Sequence, residues 1–319
     1  MKKKVLKFSV SFLWMLSVVF TCNTLVAQNN TTPLIDSILV KKHLYTLASD
    51  EMKGRKVGTE GIEKAAQYIE NEFSKLELNT FEGAADYRQR FKKKGIKLFN
   101  IIGVLEGTTK KEEYVVISAH YDHLGILKAV NGDAIANGAD DDASGVTAVL
   151  SLAKYWKERS DNERTIIFIA FTAEEKGLWG SNYFGKKVNP KKYVAGINIE
   201  MIGKESKFGP KSAFLTGFDK STFGKIIQQN LKNTDFKLYP DPYTKFRLFY
   251  RSDNASLARL GIPAHTFSTD PIDTDKYYHT VDDEVETLNI GTITNTIRAI
   301  SIGTESIIKG IDTPSRVVD

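Results

Sequence analysis

The chain has 319 residues, 41% hydrophobic and 26% charged, with a formal net charge of +5. Four of its lysines, at positions 2, 3, 4 and 7, lie in the first 27 residues beside no acid, so the remainder carries only +1. That near-neutral balance argues against a nucleic-acid partner. The length beyond residue 27 suffices for one large core or two small ones.

Met1 to Ala27 combine these lysines with an apolar run from Val10 to Phe20 and a Leu-Val-Ala before Gln28, the pattern of a secretory signal. A membrane anchor is the competing reading, but it needs about 20 apolar residues and the run is shorter; no later segment is long enough either. The only cysteine, Cys22, falls in this leader, so the mature chain has neither a disulfide framework nor thiol chemistry. Val19-Phe20-Thr21 lacks the small residues expected before a lipidated cysteine. The expectation is export, to the periplasm or outside the cell, of one domain over residues 28–319.

Apolar residues at helical spacing predict helices over 34–48 and 60–78, the second carrying Ile62, Ala65, Ala66, Ile69, Phe73 and Leu76. The period then shortens. Residues 87–93 alternate weakly, 100–105 are β-rich, and 114–119 form a short apolar run suited to a buried strand. From there strand alternates with helix: strands over 165–171, 193–199, 213–216 and 262–268, helices over 143–157, 178–187, 220–232, 254–260 and 289–309. This alternation predicts an α/β fold, a doubly wound, mixed but mainly parallel sheet with helices on both faces, giving three layers. Residues 239–251 hold Tyr239, Tyr243, Phe246, Phe249 and Tyr250 beside Pro240 and Pro242, a loop that either caps a core or walls a substrate pocket.

Ligands of open α/β sheets bind beyond the carboxyl ends of the strands. Three apolar runs here end in polar residues: 114–119 enters His120-Tyr121-Asp122-His123, 165–171 leads to Glu174-Glu175, and 193–199 enters Glu200. Between the first two, Asp140-Asp141-Asp142 opens a predicted helix. Capping accounts for one or two of those carboxylates; a third alongside is repelled unless a cation offsets it. Adjacent glutamates are usually solvated surface, but directly after a buried strand they fit a water-activating zinc site, one carboxylate on the metal and one free to take a proton. His279, in a polar loop before the final helix, is either surface or a second imidazole donor.

His120-x-Asp122, GADDDASG at 138–145, AEE at 173–175, NIEMIG at 198–203 and YHT at 278–280, in that order and spacing, resemble the co-catalytic zinc aminopeptidases of metallopeptidase family 28. SDEMKGRKVGTEG at 49–61 and RSDNASLARLGIPA at 251–264 resemble exported bacterial members, so the likeness runs over nearly all of the mature chain. The resemblance implies two zinc ions per chain, bridged by Asp141, with His120 and Glu200 completing one and Glu175 and His279 the other. It makes Glu174 the general base, Tyr278 a donor to the tetrahedral oxyanion, and Asp122 the acid orienting the His120 ring. It also implies a cis peptide after Asp141, and peptide or small amide substrates. Two positions depart from the pattern: Glu200 stands where many members have Asp, and Asn254 where relatives often have His, so no role is assigned to Asn254. Glutaminyl cyclase, which shares the fold but uses a single zinc, is a rival expectation, as is a non-catalytic binding module; the complete donor set favours the hydrolase.

Overall fold

The structure is a computed structural model that describes residues 35–318. The expected leader and Cys22 lie outside these residues. Helix α1 (Ser37–Leu47) starts where the Asp36 carboxylate accepts the Ile38 N–H, and it buries Val40, Leu44 and Leu47. Helix α2 (Glu60–Lys75) buries Ile62, Ala65, Ala66, Ile69 and Phe73, with Glu60 and Glu63 in its first turn and Lys75 in its last, each matching the helix dipole.

Strands β1 (Asn79–Thr80), β2 (Arg88–Lys93), β3 (Ile96–Leu105) and β4 (Lys110–His120) follow. Then come β5 (Gly125–Val130) and β6 (Asp133–Ala136), helix α3 (Gly145–Arg159), β7 (Arg164–Phe171), α4 (Trp179–Gly185) and β8 (Tyr193–Ile199). The C-terminal part holds β9 (Ser212–Leu215), α5 (Phe223–Leu231), β10 (Lys237–Pro240), α6 (Asn254–Ala258), β11 (Ala264–Ser268), α7 (Ile290–Gly303) and α8 (Glu305–Ile308).

Among the described residues, nine strands make one mixed sheet in the order β3-β7-β4-β8-β11-β9-β10, with β1 and β2 both lying antiparallel along the outer edge of β3. Its centre, β7-β4-β8-β11, is parallel, and β3 and β9 flank that centre antiparallel. Every residue of β7 is buried, as a central strand covered on both faces requires, and this is why Ile166 to Phe171 form an unbroken apolar run. Alternate residues serve the two faces. Val115, Ile117, Ile166 and Phe168 pack with α1, α2, α3, α5 and α7, while Val116, Ile167 and Ile169 pack with Phe184 of α4 and Leu257 of α6.

Two local features differ from the expected elements. The helix expected over 289–309 breaks after Gly303, where a Cβ would lie 2.6 Å from Ile227 Cγ2, so α7 can meet α5 only through a glycine. The unforeseen β5–β6 hairpin turns at Asn131 and Gly132, both with positive φ, the turn chemistry of a tight hairpin. The aromatic loop caps part of the core and also borders a cleft. Tyr243 and Phe249 are buried, while Leu248 and Arg251 face a cleft.

Candidate metal centre

Because β4, β7 and β8 are parallel neighbours, their carboxyl ends share one rim. His120 is the last residue of β4, Glu200 follows β8, and Glu174 and Glu175 follow β7 after a short bend. Arg55, fully buried, clamps the loops around that rim by donating to the carbonyls of Leu47, Tyr121, Asn137 and Gly138.

The three aspartates before α3 separate by function. Asp142 holds backbone: its carboxylate accepts the N–H groups of Gly145, Met201 and His120. Asp140 accepts the Gly203 N–H at 2.7 Å and lies 3.1 Å from Lys204 Nζ. Asp141 has neither task. Its backbone N–H is fixed by the Asp283 carboxylate, the peptide to Asp142 is cis as the resemblance implied, and its two oxygens face two sets of imidazoles. Oδ1 lies 3.0 Å from His120 Nε2, and Oδ2 lies 3.2 Å from His279 Nε2 and 3.7 Å from His123 Nδ1.

Two donor groups therefore share Asp141. In the first, His120 Nε2 is also 3.9 Å from Glu200 Oε1. In the second, Glu175 presents Oε1 to His123 Nδ1 at 3.0 Å and Oε2 to His279 Nε2 at 3.3 Å. His120 Nε2, Glu175 Oε1 and both ring nitrogens of His123 are buried without a hydrogen-bond partner among the described residues. Such orphaned lone pairs are costly unless something binds them, and the mixture of imidazole and carboxylate suits zinc. All five expected ligands meet here. His123 was missed by sequence reasoning, although His120-x-x-His123 just past a strand end was the available signal.

The His120 ring is oriented differently from the expectation. Its Nδ1 lies 3.0 Å from the backbone carbonyl of Asp122, which fixes the proton on Nδ1 and leaves Nε2 its lone pair, whereas the Asp122 carboxylate is 3.8 Å away. That carboxylate instead accepts the Glu174 N–H at 3.0 Å. Glu200 accepts from the Ser252 hydroxyl. Asn254 is a structural link: its amide donates to the carbonyls of Phe249 and Ala264 and accepts from Thr266 Oγ1. Asp253, buried next to it, was also missed.

The electrostatics describe a site short of positive charge. Burial, then Glu200, Asp253 and Glu175, push the Glu174 carboxyl well above the usual range, although His120 opposes this. Burial, with Asp141 and Glu175 adding to it, raises Glu200 to about 7. Burial also works against the charge on Asp141, yet His123, His120 and His279 hold its carboxyl well below the ordinary value. His279 rises to about 10 despite its own desolvation, because Asp141 and Glu175 accept from it. The proton held on His279 thus does part of the work that a cation between these donors would do.

A cleft opens over Asp141, Glu174 and Glu200. Met201, Phe214, Leu248, Ile272 and Tyr278 give it apolar walls, and Thr216, Ser252, Thr266 and Ser268 add polar ones. Tyr278 stacks on the His279 ring at 3.9 Å between centroids, which places its side chain at the boundary between donors and cleft.

An α/β sheet with this rim is the fold of several solved peptidases. The structure superposes on the LapA aminopeptidase of Legionella pneumophila with a TM-score of 0.69 at 20% identity, covering 86% of this chain and 72% of that one. For BSAP, a zinc aminopeptidase from Bacillus subtilis, the values are 0.69 and 16%, covering 87% and 96%. The glutaminyl cyclase of Porphyromonas gingivalis gives 0.67 and 17%, covering 86% and 99%. The sequence pattern described as peptidase family M28 matches residues 100–302, and the chain belongs to that family. Among curated relatives, a probable leucine aminopeptidase of Arthroderma otae is 28% identical over 72% of this chain and 61% of its own length. A probable zinc metalloprotease of Pyricularia oryzae is 34% identical over 35% of this chain and 22% of its own. The chain thus spans less than two thirds of the length of these relatives. Among the described residues, no helix is long and apolar enough to cross a membrane.

Proposed function

We propose that this chain is an exported zinc aminopeptidase that hydrolyses the N-terminal bond of peptides. The observation that carries the proposal is the position of Asp141, one oxygen toward His120 and the other toward His279, beside a carboxyl, Glu174, that is engaged with neither group. His120, Asp141 and Glu200 would hold one zinc, and Asp141, Glu175 and His279 the other. Zinc there supplies Lewis acidity, lowering the pKa of water and polarising the scissile carbonyl.

The remaining work falls to the chain. Asp122 fixes the backbone of Glu174, and the half-buried Glu174 carboxylate accepts the proton of the attacking water and returns it to the leaving amine. The phenol of Tyr278 donates to the oxyanion; burial pushes its pKa up, so it keeps its proton at neutral pH. The apolar cleft receives the first side chain of the substrate and excludes water around it. The leader read at Met1 to Ala27 supports export.

The test is zinc analysis of the protein beginning at Gln28, with a panel of aminoacyl chromogenic amides assayed with and without chelator. Two zinc ions per chain and chelator-sensitive hydrolysis are expected. About one zinc, with cyclisation of N-terminal glutamine, would favour cyclase chemistry on this fold, and neither zinc nor turnover would leave a binding module.

A further inference from the structure

We infer that His123 is a third imidazole ligand of this centre, binding through Nδ1 the zinc held by Asp141, Glu175 and His279, and that the two metal positions are consequently unequal. The inference rests on the proposed function and specifies its metal chemistry further.

His123 is 2% exposed, and neither of its ring nitrogens makes a hydrogen bond of good geometry among the described residues, Nδ1 facing Glu175 Oε1 at 3.0 Å. A buried imidazole whose ring nitrogens make no hydrogen bond is expensive, and coordination through Nδ1 removes the lone-pair part of that cost. The spacing fits. Four donors arranged tetrahedrally at zinc bond lengths of roughly 2.0–2.1 Å are about 3.3 Å from one another. His123 Nδ1 lies 3.0 Å from Glu175 Oε1 and 3.7 Å from Asp141 Oδ2, and His279 Nε2 lies 3.3 Å from Glu175 Oε2 and 3.2 Å from the same Asp141 oxygen. The two rings meet edge to face, 5.9 Å apart at 67°, an arrangement that lets both nitrogens address the space between the carboxylates.

The ring is also built into place. The His123 N–H donates to the Arg55 carbonyl at 3.2 Å. Behind the ring stands Gly138, at φ +55°, where a Cβ would come within 2.5 Å of His123 Cγ. Only a glycine there leaves room for the imidazole.

The consequence is an asymmetric pair. The position of Asp141, Glu175, His123 and His279 has two nitrogen donors, whereas that of Asp141, His120 and Glu200 has one. Imidazole suits zinc better than carboxylate does, so the zinc beside Glu200 leaves first on chelation and a one-zinc form keeps the metal beside His123. The chain's other histidines do not confuse the count: His43 hydrogen-bonds Tyr68, and both ring nitrogens of His265 are engaged, with Thr216 and Ser221.

Zinc-edge X-ray absorption of the zinc-loaded protein counts imidazoles directly, and three per pair of zinc ions are expected. In His123→Asn the amide nitrogen takes the place of Nδ1 and can still donate to Glu175, but it is not an imidazole. The variant should show two imidazoles, and its tighter zinc should weaken by more than the roughly 10–100-fold typical of losing an outer-shell partner. Two imidazoles in the wild-type protein, or an Asn variant with unchanged count and affinity, would overturn the inference and leave a hydrogen-bond donor to Glu175, with the two-zinc reading intact. A protein that binds no zinc would overturn both.

Discussion

Two acidic clusters lie next to each other at the rim of this sheet, and they neutralise their charge in opposite ways. In one, Asp140, Asp270 and Asp275 surround the ammonium of Lys204 at 3.1, 3.6 and 2.8 Å. In the other, Asp141, Glu174, Glu175 and Glu200 have no lysine or arginine ion-paired to them among the described residues, only His120, His123 and His279. Adjacent residues, Asp140 and Asp141, belong to different clusters. A chain that can place a lysine among one set of buried acids and places only imidazoles among the next has left the second set for an external cation. Burial of unpaired charge would otherwise cost several kcal/mol per ion.

The largest effect expected on this comparison separates the base from the ligands. Glu174→Gln should retain zinc while turnover falls on the order of 10²–10⁴-fold, the usual contribution of a general base; His279→Ala and Asp141→Ala should lose metal as well. Wild-type turnover by Glu174→Gln, measured at equal zinc content, would remove Glu174 from its role. Next in size is Lys204→Met. Asp140 and Asp275 then lose their shared cation, and a loss of about 3–5 kcal/mol in unfolding free energy is expected, as for a broken buried pair. Zinc content of the folded variant should be unchanged. A mild effect in chemical denaturation would mean that the two clusters are not the contrast drawn above.

The parts of this arrangement that sequence could foretell are those carried by local order. Apolar runs ending in His120, Glu175 and Glu200 announce strand ends, and parallel neighbours put strand ends on one rim. The grouping of Asp140, Asp141 and Asp142 suggested that capping alone could not employ all three; in the structure Asp142 accepts the Gly145 N–H, while Asp140 accepts the Gly203 N–H and lies beside Lys204. What stayed hidden depends on contacts remote in sequence. His123 points at Glu175 because Arg55 and Gly138, from two other segments, shape the turn that carries it. Lys204 reads as an ordinary surface lysine until Asp270 and Asp275 fold around it. The Asp122 carboxylate holds Glu174 instead of the His120 ring because the backbone carbonyl of Asp122 already occupies the ring nitrogen. The β5–β6 hairpin, in contrast, was legible in Asn131-Gly132 and was overlooked.

Zinc itself should act on stability as a ligand of the second cluster alone. At a free concentration 100 times its dissociation constant, a metal that binds only the folded state adds about 2.7 kcal/mol. Thermal unfolding with and without chelator should show that gain in the wild-type protein and lose it in Asp141→Ala. Lys204→Met should keep the increment, from a lower starting Tm. An increment that disappears in Lys204→Met would join the clusters into one electrostatic unit.

The smallest effect probes how completely one lysine satisfies three acids. Burial, then Asp140, raises the Asp270 carboxyl to about 9, with Lys204 only partly opposing. Its oxygens have no hydrogen-bond partner among the described residues. The folded chain therefore keeps a proton on Asp270 that the unfolded chain, with a carboxyl near 3.8, releases. The unfolded state binds fewer protons between these values, so stability should fall as pH rises from about 4 to about 9. Asp270→Asn mimics the neutral form and cannot release a proton, so its stability should decline less over the same interval. At pH 8 the zinc-free variant should be the more stable of the two, with the higher Tm, and the two should converge toward pH 4. A variant less stable than wild type at pH 8 would show Asp270 charged beside Lys204 and therefore part of its ion pairing, as Asp140 and Asp275 are.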